Sequence, residues 1–276
     1  MKRLAFVFYW RRASTIFQNW RDGLRAAIEL IGAMPEYKVE WFLDEKVPDP
    51  ADDYYAILFW GDSYCNFFRY LNNYPNAKKG IFLTTDPHNI HNLSRLDAVY
   101  CESQPIVDQV KQFGDQIKWV KAFGTDTDFY KPDPAVKKDI PYFYPATFSP
   151  WKKQSEIVIL GDKLYCVGTL QPDGEEELKA CESWNVHIEK GYFPPEKIRD
   201  YYNRTQSIVI PAIHGSERTV LEAMAMNIVP IVMPYNERAR SYLSEYANSK
   251  FRTPRDFIIE NYSHVKYAEA ILRGIE

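Results

Sequence analysis

The sequence contains few cysteines, and no two of them are closely spaced. Cys65, Cys101, Cys166 and Cys181 are the four cysteines among 276 residues, and none belongs to a CxxC pair. A zinc cluster needs neighbouring thiolates, and a disulfide framework needs a higher density of cysteines in a small secreted domain. The sequence favours neither, so we expect reduced thiols and no structural metal.

Long apolar runs are absent as well. No stretch reaches the roughly 20 consecutive apolar residues that a membrane-spanning helix requires. The first eight residues are followed by Tyr9-Trp10-Arg11-Arg12, which interrupts the apolar stretch too early for a secretory signal peptide. We therefore predict a cytoplasmic protein without a membrane span.

The chain also lacks an excess of positive charge. Its formal net charge is -3 at pH 7, whereas nonspecific binding to nucleic acid depends on many Lys and Arg contacts with phosphates. Aromatic residues are instead abundant, with 20 Tyr, 16 Phe and 7 Trp. They can stack on sugars or bases, but more often they belong to ordinary core and subunit contacts. A general nucleic-acid-binding protein is therefore disfavoured, and only local basic patches stay open.

Short β-branched or aromatic runs alternate with amphipathic stretches along the first half of the chain. Residues 24–31 and 106–113 show the spacing of amphipathic helices. Such alternation predicts a parallel sheet covered on both faces. The predicted strands are Leu4–Tyr9, Val39–Leu43, Tyr54–Phe59, Gly80–Thr84, Ala98–Cys101 and Ile117–Ala122.

Prolines and turn formers between Gly124 and Pro134 cannot continue a helix or a central strand, so we place a domain boundary here. The alternation then restarts, which predicts a second α/β sheet. The predicted domains are residues 1–130, residues 131–258 and a closing helix within 259–276. The predicted strands are Tyr142–Phe148, Leu164–Val167, Val186–Glu189, Ser207–Pro211 and Ile228–Val232, and the predicted helices lie near Gly174–Ser183, Pro195–Asn203 and Glu217–Met226.

The predicted fold class is therefore α/β, with two Rossmann-like domains. Ligands of such sheets bind beyond the carboxyl ends of the strands. No GxGxxG follows the first strand and no GxxxxGK[ST] occurs anywhere in the chain. Nicotinamide-dependent enzymes and P-loop kinases are therefore disfavoured.

The segment Pro211–Val232 is typical of a strand, a loop, a helix and a further strand. A small loop at 214–216 lets backbone amides approach a ligand, and the amino end of the next helix offers unpaired N–H groups and partial positive charge. Glu222 lies about one and a half helical turns after Glu217. Its carboxylate can accept hydrogen bonds from two adjacent hydroxyls, as in a ribose, at a position that alanine would suit. An ordinary amphipathic surface helix is the alternative interpretation.

This segment resembles the donor-site motif of the family-4 retaining glycosyltransferases (glycosyl transferases group 1). In that motif a Glu is followed, after seven residues, by a second Glu and Ala-Met-Ala. Glu222-Ala223-Met224-Ala225 matches the second part, and the first Glu position falls on His214. The resemblance implies that Glu222 holds the nucleotide ribose and that His214 faces the transferred sugar. Because imidazole offers no permanent carboxylate, Glu217 is the alternative source of that charge.

Two further segments resemble the same family. Ala146–Lys153 is similar to its Gly-Arg-Leu-x-x-x-Lys-Gly loop, with Lys152 at the Lys and Thr147 in place of the Arg. Lys153 or Arg218 is expected to stand in for that missing cation. Phe123–Pro132 resembles the family's interdomain segment, and we interpret its Asp-Thr-Asp as turn caps and not as a metal-binding DxD.

The resemblance implies a GT-B fold, in which two domains face each other across a cleft, and transfer of a sugar with retention and without a metal ion. UDP- or GDP-sugars are the expected donors, and no other cofactor is expected. The resemblance assigns the leaving diphosphate to Lys152, Arg218 and the amides of the donor loop, and the base to Tyr192 and Phe193. We expect Asp86 and His88, after the fourth strand, to face the sugar or assist proton transfer, although His88 could equally be an ordinary loop histidine. The predicted donor-binding residues are Thr147, Lys152, Lys153, Tyr192, Phe193, His214, Gly215, Ser216, Glu217, Arg218, Thr219 and Glu222.

The acceptor stays open. A glycan, a small molecule or a modified DNA base would each suit a soluble enzyme, and the last would be contacted by Arg3, Arg11, Arg12, Arg21 and Arg25. A nucleotide-sugar epimerase, a phosphorylase-like enzyme and a catalytically silent nucleotide-sugar-binding protein are the alternative functions.

Overall fold

Two parallel sheets carry the fold in this computed structural model, which describes residues 1–9, 21–61, 68–83, 95–111 and 117–276. The chain divides into a first unit, Met1–Gly124 with His264–Glu276, and a second unit, Thr125–Ser263. Each unit contains one sheet, and every strand pair is parallel. The predicted α/β class is confirmed.

The strands lie close to where the apolar runs predict them. Those of the first unit are each within two residues of the predicted bounds, whereas the last strand of the second unit keeps only the end of the predicted 228–232. In chain order the strands are β1 (Lys2–Val7), β2 (Tyr37–Phe42), β3 (Ala56–Trp60), β4 (Lys78–Leu83), β5 (Ala98–Cys101), β6 (Lys118–Lys121), β7 (Ile140–Pro145), β8 (Leu164–Gly168), β9 (His187–Lys190), β10 (Thr205–Ile210) and β11 (Ile231–Val232).

Three helices of the described chain differ from the sequence-based expectation. Residues 237–247 form a helix that the sequence analysis missed, although Ala239, Tyr242 and Tyr246 recur at helical spacing and Asn236 caps it. The predicted closing helix begins at His264, after a separate helix has ended at Tyr262. The α-helices are α1 (Gly23–Gly32), α2 (Gln104–Val110), α3 (Glu175–Ser183), α4 (Pro195–Arg204), α5 (Glu217–Ala225), α6 (Glu237–Ala247), α7 (Pro254–Tyr262) and α8 (His264–Ile275).

The sheet of the first unit has the strand order β2-β1-β3-β4-β5-β6. Its central strands are apolar on both faces, as parallel strands covered by helices must be; Ala56–Phe59 of β3, for example, is fully buried. Helix α8 closes one face. The hydroxyls of Tyr100 and Tyr55 donate to the carbonyl oxygens of Ile271 and Ile275, at 2.9 and 3.0 Å.

The sheet of the second unit has the order β11-β10-β7-β8-β9. The chain adds β8 and β9 on one side of β7 and then returns to place β10 and β11 on the other side. The topological switch point therefore lies between β7 and β10, where open α/β sheets bind their ligands. The loops that leave these two strands, residues 146–153 and 211–216, meet at this point.

The segment that follows the sheet of the first unit in the chain, residues 125–130, is held by hydrogen bonds between side chains and backbone groups. Oδ1 of Asp126 accepts hydrogen bonds from the amides of Asp128 and Phe129, at 3.1 and 3.0 Å. This carboxylate therefore caps a turn, as the sequence interpretation expected. The Arg255 guanidinium donates to the carbonyl oxygens of Thr127, at 3.0 Å, and Ala225, at 2.6 Å, so it ties this turn to the end of α5.

Gly274 provides a test of how α8 packs on its sheet. A Cβ at this position would lie 2.5 Å from the hydroxyl oxygen of Tyr100 and 2.6 Å from its ring, and Tyr100 is fully buried. We expect Gly274→Ala to lower the free energy of unfolding by about 1–3 kcal/mol through overpacking, which outweighs a helix-propensity gain of about 0.5–1 kcal/mol. Urea unfolding measures the difference.

Gly32→Ala is the matched control, because a Cβ at this helical glycine would have its nearest neighbour, Val39, at 3.5 Å. This variant is expected to be neutral or stabilising. A Gly274→Ala protein as stable as Gly32→Ala would contradict the packing of α8 against Tyr100.

Candidate functional site

Two loops that are distant in sequence meet at the switch point of the second unit. Nζ of Lys152 donates to Oγ of Ser216 at 3.0 Å. The amide of Ile213 donates to the carbonyl oxygen of Trp151 at 2.9 Å. The structure thus brings together the two segments that the sequence singled out separately. We call the group formed by Lys152, Gly215, Ser216 and the first turn of α5 the cradle.

The backbone of the cradle is unusual at two successive residues. Gly215 has φ 74° and Ser216 has φ 70°, both in the left-handed region that favours glycine. A Cβ on residue 215 would lie 3.1 Å from Nζ of Lys152, so the backbone passes close to the ammonium group. Ser216 precedes α5, but its side chain does not cap the helix. Its hydroxyl instead receives the Lys152 hydrogen bond.

The side chain of Asn236 holds the 212–216 loop through hydrogen bonds to its backbone. Its Nδ2 donates to the carbonyl oxygens of Ala212 and Gly215, both at 3.0 Å. Its Oδ1 accepts a hydrogen bond from the amide of Ala239 at 3.1 Å, which caps α6. The side chain is 1% exposed. Sequence reasoning missed Asn236, although an Asn directly before residues with helical spacing is a recognisable cap signal.

Glu217, the first residue of α5, is 3% exposed and lies beside Arg238 of α6. The two atoms Glu217 Oε1 and Arg238 Nε are 2.7 Å apart, as an ion pair without the alignment of a hydrogen bond. The other carboxylate oxygen of Glu217, Oε2, would lie 3.9 Å from a Cβ atom placed on Gly215. Glu217 therefore lies at the cradle, but its charge is balanced by an arginine that sequence analysis did not single out.

Glu222 is less available than the sequence suggested. It is 5% exposed, and its Oε2 accepts a hydrogen bond from the hydroxyl of Tyr202 in α4, at 3.0 Å. Its Oε1 is 3.5 Å from Nε of Arg218. Burial, and then the charge of Glu222, raise the pKa of Tyr202 well above its usual value. The expectation that alanine would suit this position is therefore wrong, since it would leave the buried hydroxyl without its acceptor at a cost of about 1–3 kcal/mol.

The outer side of the cradle carries two aromatic side chains. The ring centroids of Trp151 and His214 are 5.2 Å apart, with 31° between the ring planes, and both side chains are exposed. Thr147 lies on the loop after β7, where its carbonyl oxygen accepts a hydrogen bond from Nε2 of the buried Gln154 at 2.8 Å. Lys153 follows Lys152 with φ 54°.

The remaining predicted positions fall into three groups. Thr219 is 8% exposed within α5. Tyr192 and Phe193 follow β9, at the same edge of the sheet as the cradle but two strands from β7, which is about 10 Å away across the sheet. Asp86 and His88 lie outside the described residues.

The arginines suggested for contact with DNA are engaged elsewhere or lie outside the described residues. Arg3 stands near the start of β1, away from the carboxyl ends, and its guanidinium donates to Glu40 at 3.0 and 3.1 Å. Hydrogen bonding to Arg3 lowers the pKa of Glu40 to about 2. Nε of Arg25 lies 2.8 Å from Glu29, whereas Arg11 and Arg12 are not described. These contacts argue against Arg3 and Arg25 as base-reading groups.

Comparisons with known proteins bear on the fold. No protein-family model and no curated protein sequence matches the chain. Solved structures do match, and 105 chains are similar. Sucrose-phosphate synthase from Thermosynechococcus elongatus matches with a TM-score of 0.66 at 13% identity, over 99% of this chain and 98% of the other. AviGT4, a glycosyltransferase of avilamycin A biosynthesis, also gives 0.66, at 11% identity over 100% and 97%.

The chain has the GT-B fold. A third GT-B structure, the trehalose-6-phosphate protein from E. coli bound with UDP-2-fluoro glucose, matches with a TM-score of 0.62 at 8% identity, over 99% of each chain. At these identities the likeness concerns the fold alone. Across the described ranges of this GT-B chain, no helix is both long and apolar enough to cross a bilayer. Those ranges also hold no group of three or more His, Cys, Asp or Glu side chains placed to bind a metal ion.

Asn236 provides the test of how the cradle is held. Asn236→Ala removes both hydrogen bonds to the 212–215 loop and the cap of α6, so we expect a loss of about 1–3 kcal/mol in the free energy of unfolding. Amide exchange at Gly215 and Ser216 should become faster at the same time. Thermal unfolding and hydrogen exchange followed by mass spectrometry measure the two effects.

Asn248→Ala serves as the control. The side-chain Nδ2 of Asn248 donates to the carbonyl oxygen of Ser244 at 2.9 Å, at the exposed end of the same helix. We expect the free energy of unfolding to change by no more than about 0.5 kcal/mol. Equal effects of the two substitutions, or unchanged exchange in the loop of Asn236→Ala, would show that Asn236 does not hold the cradle.

Proposed function

We propose that this GT-B chain is a glycosyltransferase that moves a sugar from a nucleotide-sugar donor to a soluble acceptor. The observation that carries the proposal is the cradle, in which the Lys152 ammonium lies 3.0 Å from Oγ of Ser216 at the amino end of α5. A cation beside a helix amino terminus is a suitable partner for a diphosphate. The switch point between β7 and β10 is also where this type of sheet binds its ligand.

The proposed mechanism depends on charge that is already in position before the reaction. As the bond between the anomeric carbon and the phosphate oxygen breaks, negative charge grows on the departing diphosphate. Lys152 and the first-turn amides of α5 would stabilise this charge in place of a metal ion. The buried hydroxyl of Tyr144 donates to the carbonyl oxygen of Lys152 at 3.1 Å, so the backbone that carries the cation is itself held.

Arg218 is the proposed second cation, in place of the family arginine that Thr147 replaces. Its side chain is 51% exposed, and its Nε lies 3.5 Å from Glu222. We propose that it turns to the diphosphate when donor binds, while Glu222 contacts the ribose from its hydrogen-bonded position next to Tyr202. Lys153 lies beside Lys152 and would add to the local positive potential.

The proposed donor is a UDP- or GDP-sugar. The similar structure from E. coli was solved with UDP-2-fluoro glucose, which supports a UDP-sugar first. Tyr192 and Phe193 are the proposed contacts of the base, and the proposed acceptor is a soluble glycan, a small molecule or a modified base. We propose retention of configuration, in which the departing phosphate takes the proton of the acceptor hydroxyl on the same face of the sugar. Asp86 and His88 are the proposed groups that would assist it.

A donor panel tests the proposed function directly. UDP, GDP, UDP-glucose and GDP-mannose are added separately while thermal unfolding is followed. One of these ligands, at about 100 times its dissociation constant, should stabilise the protein by roughly 2.7 kcal/mol. Mass spectrometry with mixed acceptors then detects a new glycosidic product. No stabilisation by any of the four would contradict the proposal, free isomerised sugar would identify an epimerase, and binding without turnover would identify a silent binding protein.

Lys152→Ala separates transition-state stabilisation from binding. The charge that Lys152 opposes is greatest on the departing diphosphate, so we expect kcat to fall by about 100-fold, with a smaller loss of affinity for the free nucleotide. Steady-state kinetics and calorimetry give the two quantities. Lys163→Ala, at an exposed lysine of the same unit, is the control. Equal losses in kcat and in affinity would assign Lys152 to binding only.

A further inference from the structure

Two exposed aromatic side chains stand directly beside the cradle, on separate loops. Trp151 is 53% exposed, and its ring centroid lies 5.2 Å from that of His214. The backbone beneath the pair is fixed, because the amide of Ile213 donates to the carbonyl oxygen of Trp151 at 2.9 Å. An indole held at this exposure offers one apolar face to a ligand.

The position of the pair relative to the proposed phosphate site is set by the chain. Trp151 immediately precedes Lys152, and His214 immediately precedes Gly215. The sugar of a nucleotide-sugar is bonded directly to its second phosphate. A diphosphate held by Lys152 would therefore place that sugar next to the two loop segments that carry the rings.

The chemistry of the two rings suits a hexopyranose. One face of a hexopyranose ring presents mainly C–H groups, which pack on an aromatic face, whereas its hydroxyls point outward from the rim. Apolar ligand surfaces commonly meet aromatic side chains, with a few polar groups fixing the orientation. Trp151 provides the apolar face, and the imidazole of His214 provides a hydrogen-bonding edge beside it.

We propose that Trp151 is a specificity-determining contact for the pyranose ring of the donor, and that His214 orients its indole. This inference rests on the proposed function, because it requires a nucleotide-sugar at the cradle. In this proposal Trp151 contacts the sugar of the donor and does not contact the nucleotide. Trp151 should therefore distinguish a nucleotide-sugar from the corresponding nucleotide.

The test compares UDP with UDP-glucose by calorimetry, or GDP with GDP-mannose if the wild type binds only guanine nucleotides. The variants are Trp151→Ala and Trp151→Phe. We expect Trp151→Ala to weaken binding of the nucleotide-sugar by about tenfold, the effect of one aromatic contact, with the affinity for the free nucleotide unchanged. Trp151→Phe keeps an aromatic face and should recover most of the loss.

Trp184→Ala is the matched control, since Trp184 is 52% exposed in the same unit and follows α3, away from the cradle. It should leave both affinities unchanged. Equal weakening of nucleotide and nucleotide-sugar by Trp151→Ala, or no weakening of either, would overturn the sugar contact while leaving the proposed function intact. A wild-type protein that binds none of the nucleotides would overturn the proposed function itself, and the sugar contact with it.

Discussion

The parallel pairing of β7 with β10 is the constraint on which the candidate site depends. Ser207 pairs with Tyr142 and Ile208 with Phe143, so two strands that are distant in sequence end side by side. Their loops must then leave from the same edge of the sheet. This pairing places the two loops side by side, so that Lys152 can contact Ser216 and Trp151 can contact His214 at the amino end of α5.

The loop after β10 needs support because its backbone is strained. Gly215 adopts its positive φ without a steric cost because it lacks a Cβ, whereas the positive φ of Ser216 is costly. Asn236 supplies part of the compensation, with two hydrogen bonds from a fully buried amide. The strained residue, Ser216, directly precedes α5, and the hydrogen bonds that hold its loop come from the residue that caps α6.

The two buried carboxylates of α5, Glu217 and Glu222, each have a polar partner. Glu217 lies beside Arg238, and Glu222 accepts from Tyr202. Buried charges are tolerated only when paired, and removing one partner is more costly than the pair itself is worth. Charge changes at these positions would therefore act on the stability of the second unit as well as on any ligand. Lys152 and Arg218 are less buried than these two glutamates.

Local sequence patterns determined most of the framework. Apolar runs gave every strand of both sheets, because a parallel strand covered on both faces needs continuous apolar residues. The Gly215–Ser216 loop and the following helix were also predictable, since turn chemistry and helical periodicity are local properties. Helix α6 was predictable by the same local rules, because Ala239, Tyr242 and Tyr246 recur at helical spacing after the cap residue Asn236, but the sequence analysis missed it.

Only the tertiary structure decided which side chains became partners. Tyr202 and Glu222 stand on different helices, and no local signal predicted that the carboxylate would be buried under a tyrosine hydroxyl. Cys166 and Cys181, distant in sequence, share a thiol hydrogen bond that, together with burial, raises the pKa of Cys166. The sequence by itself determined the elements and their order, because these depend on the spacing of apolar residues. The structure alone decided the partners of the polar groups, because those depend on which strands and helices become neighbours in space.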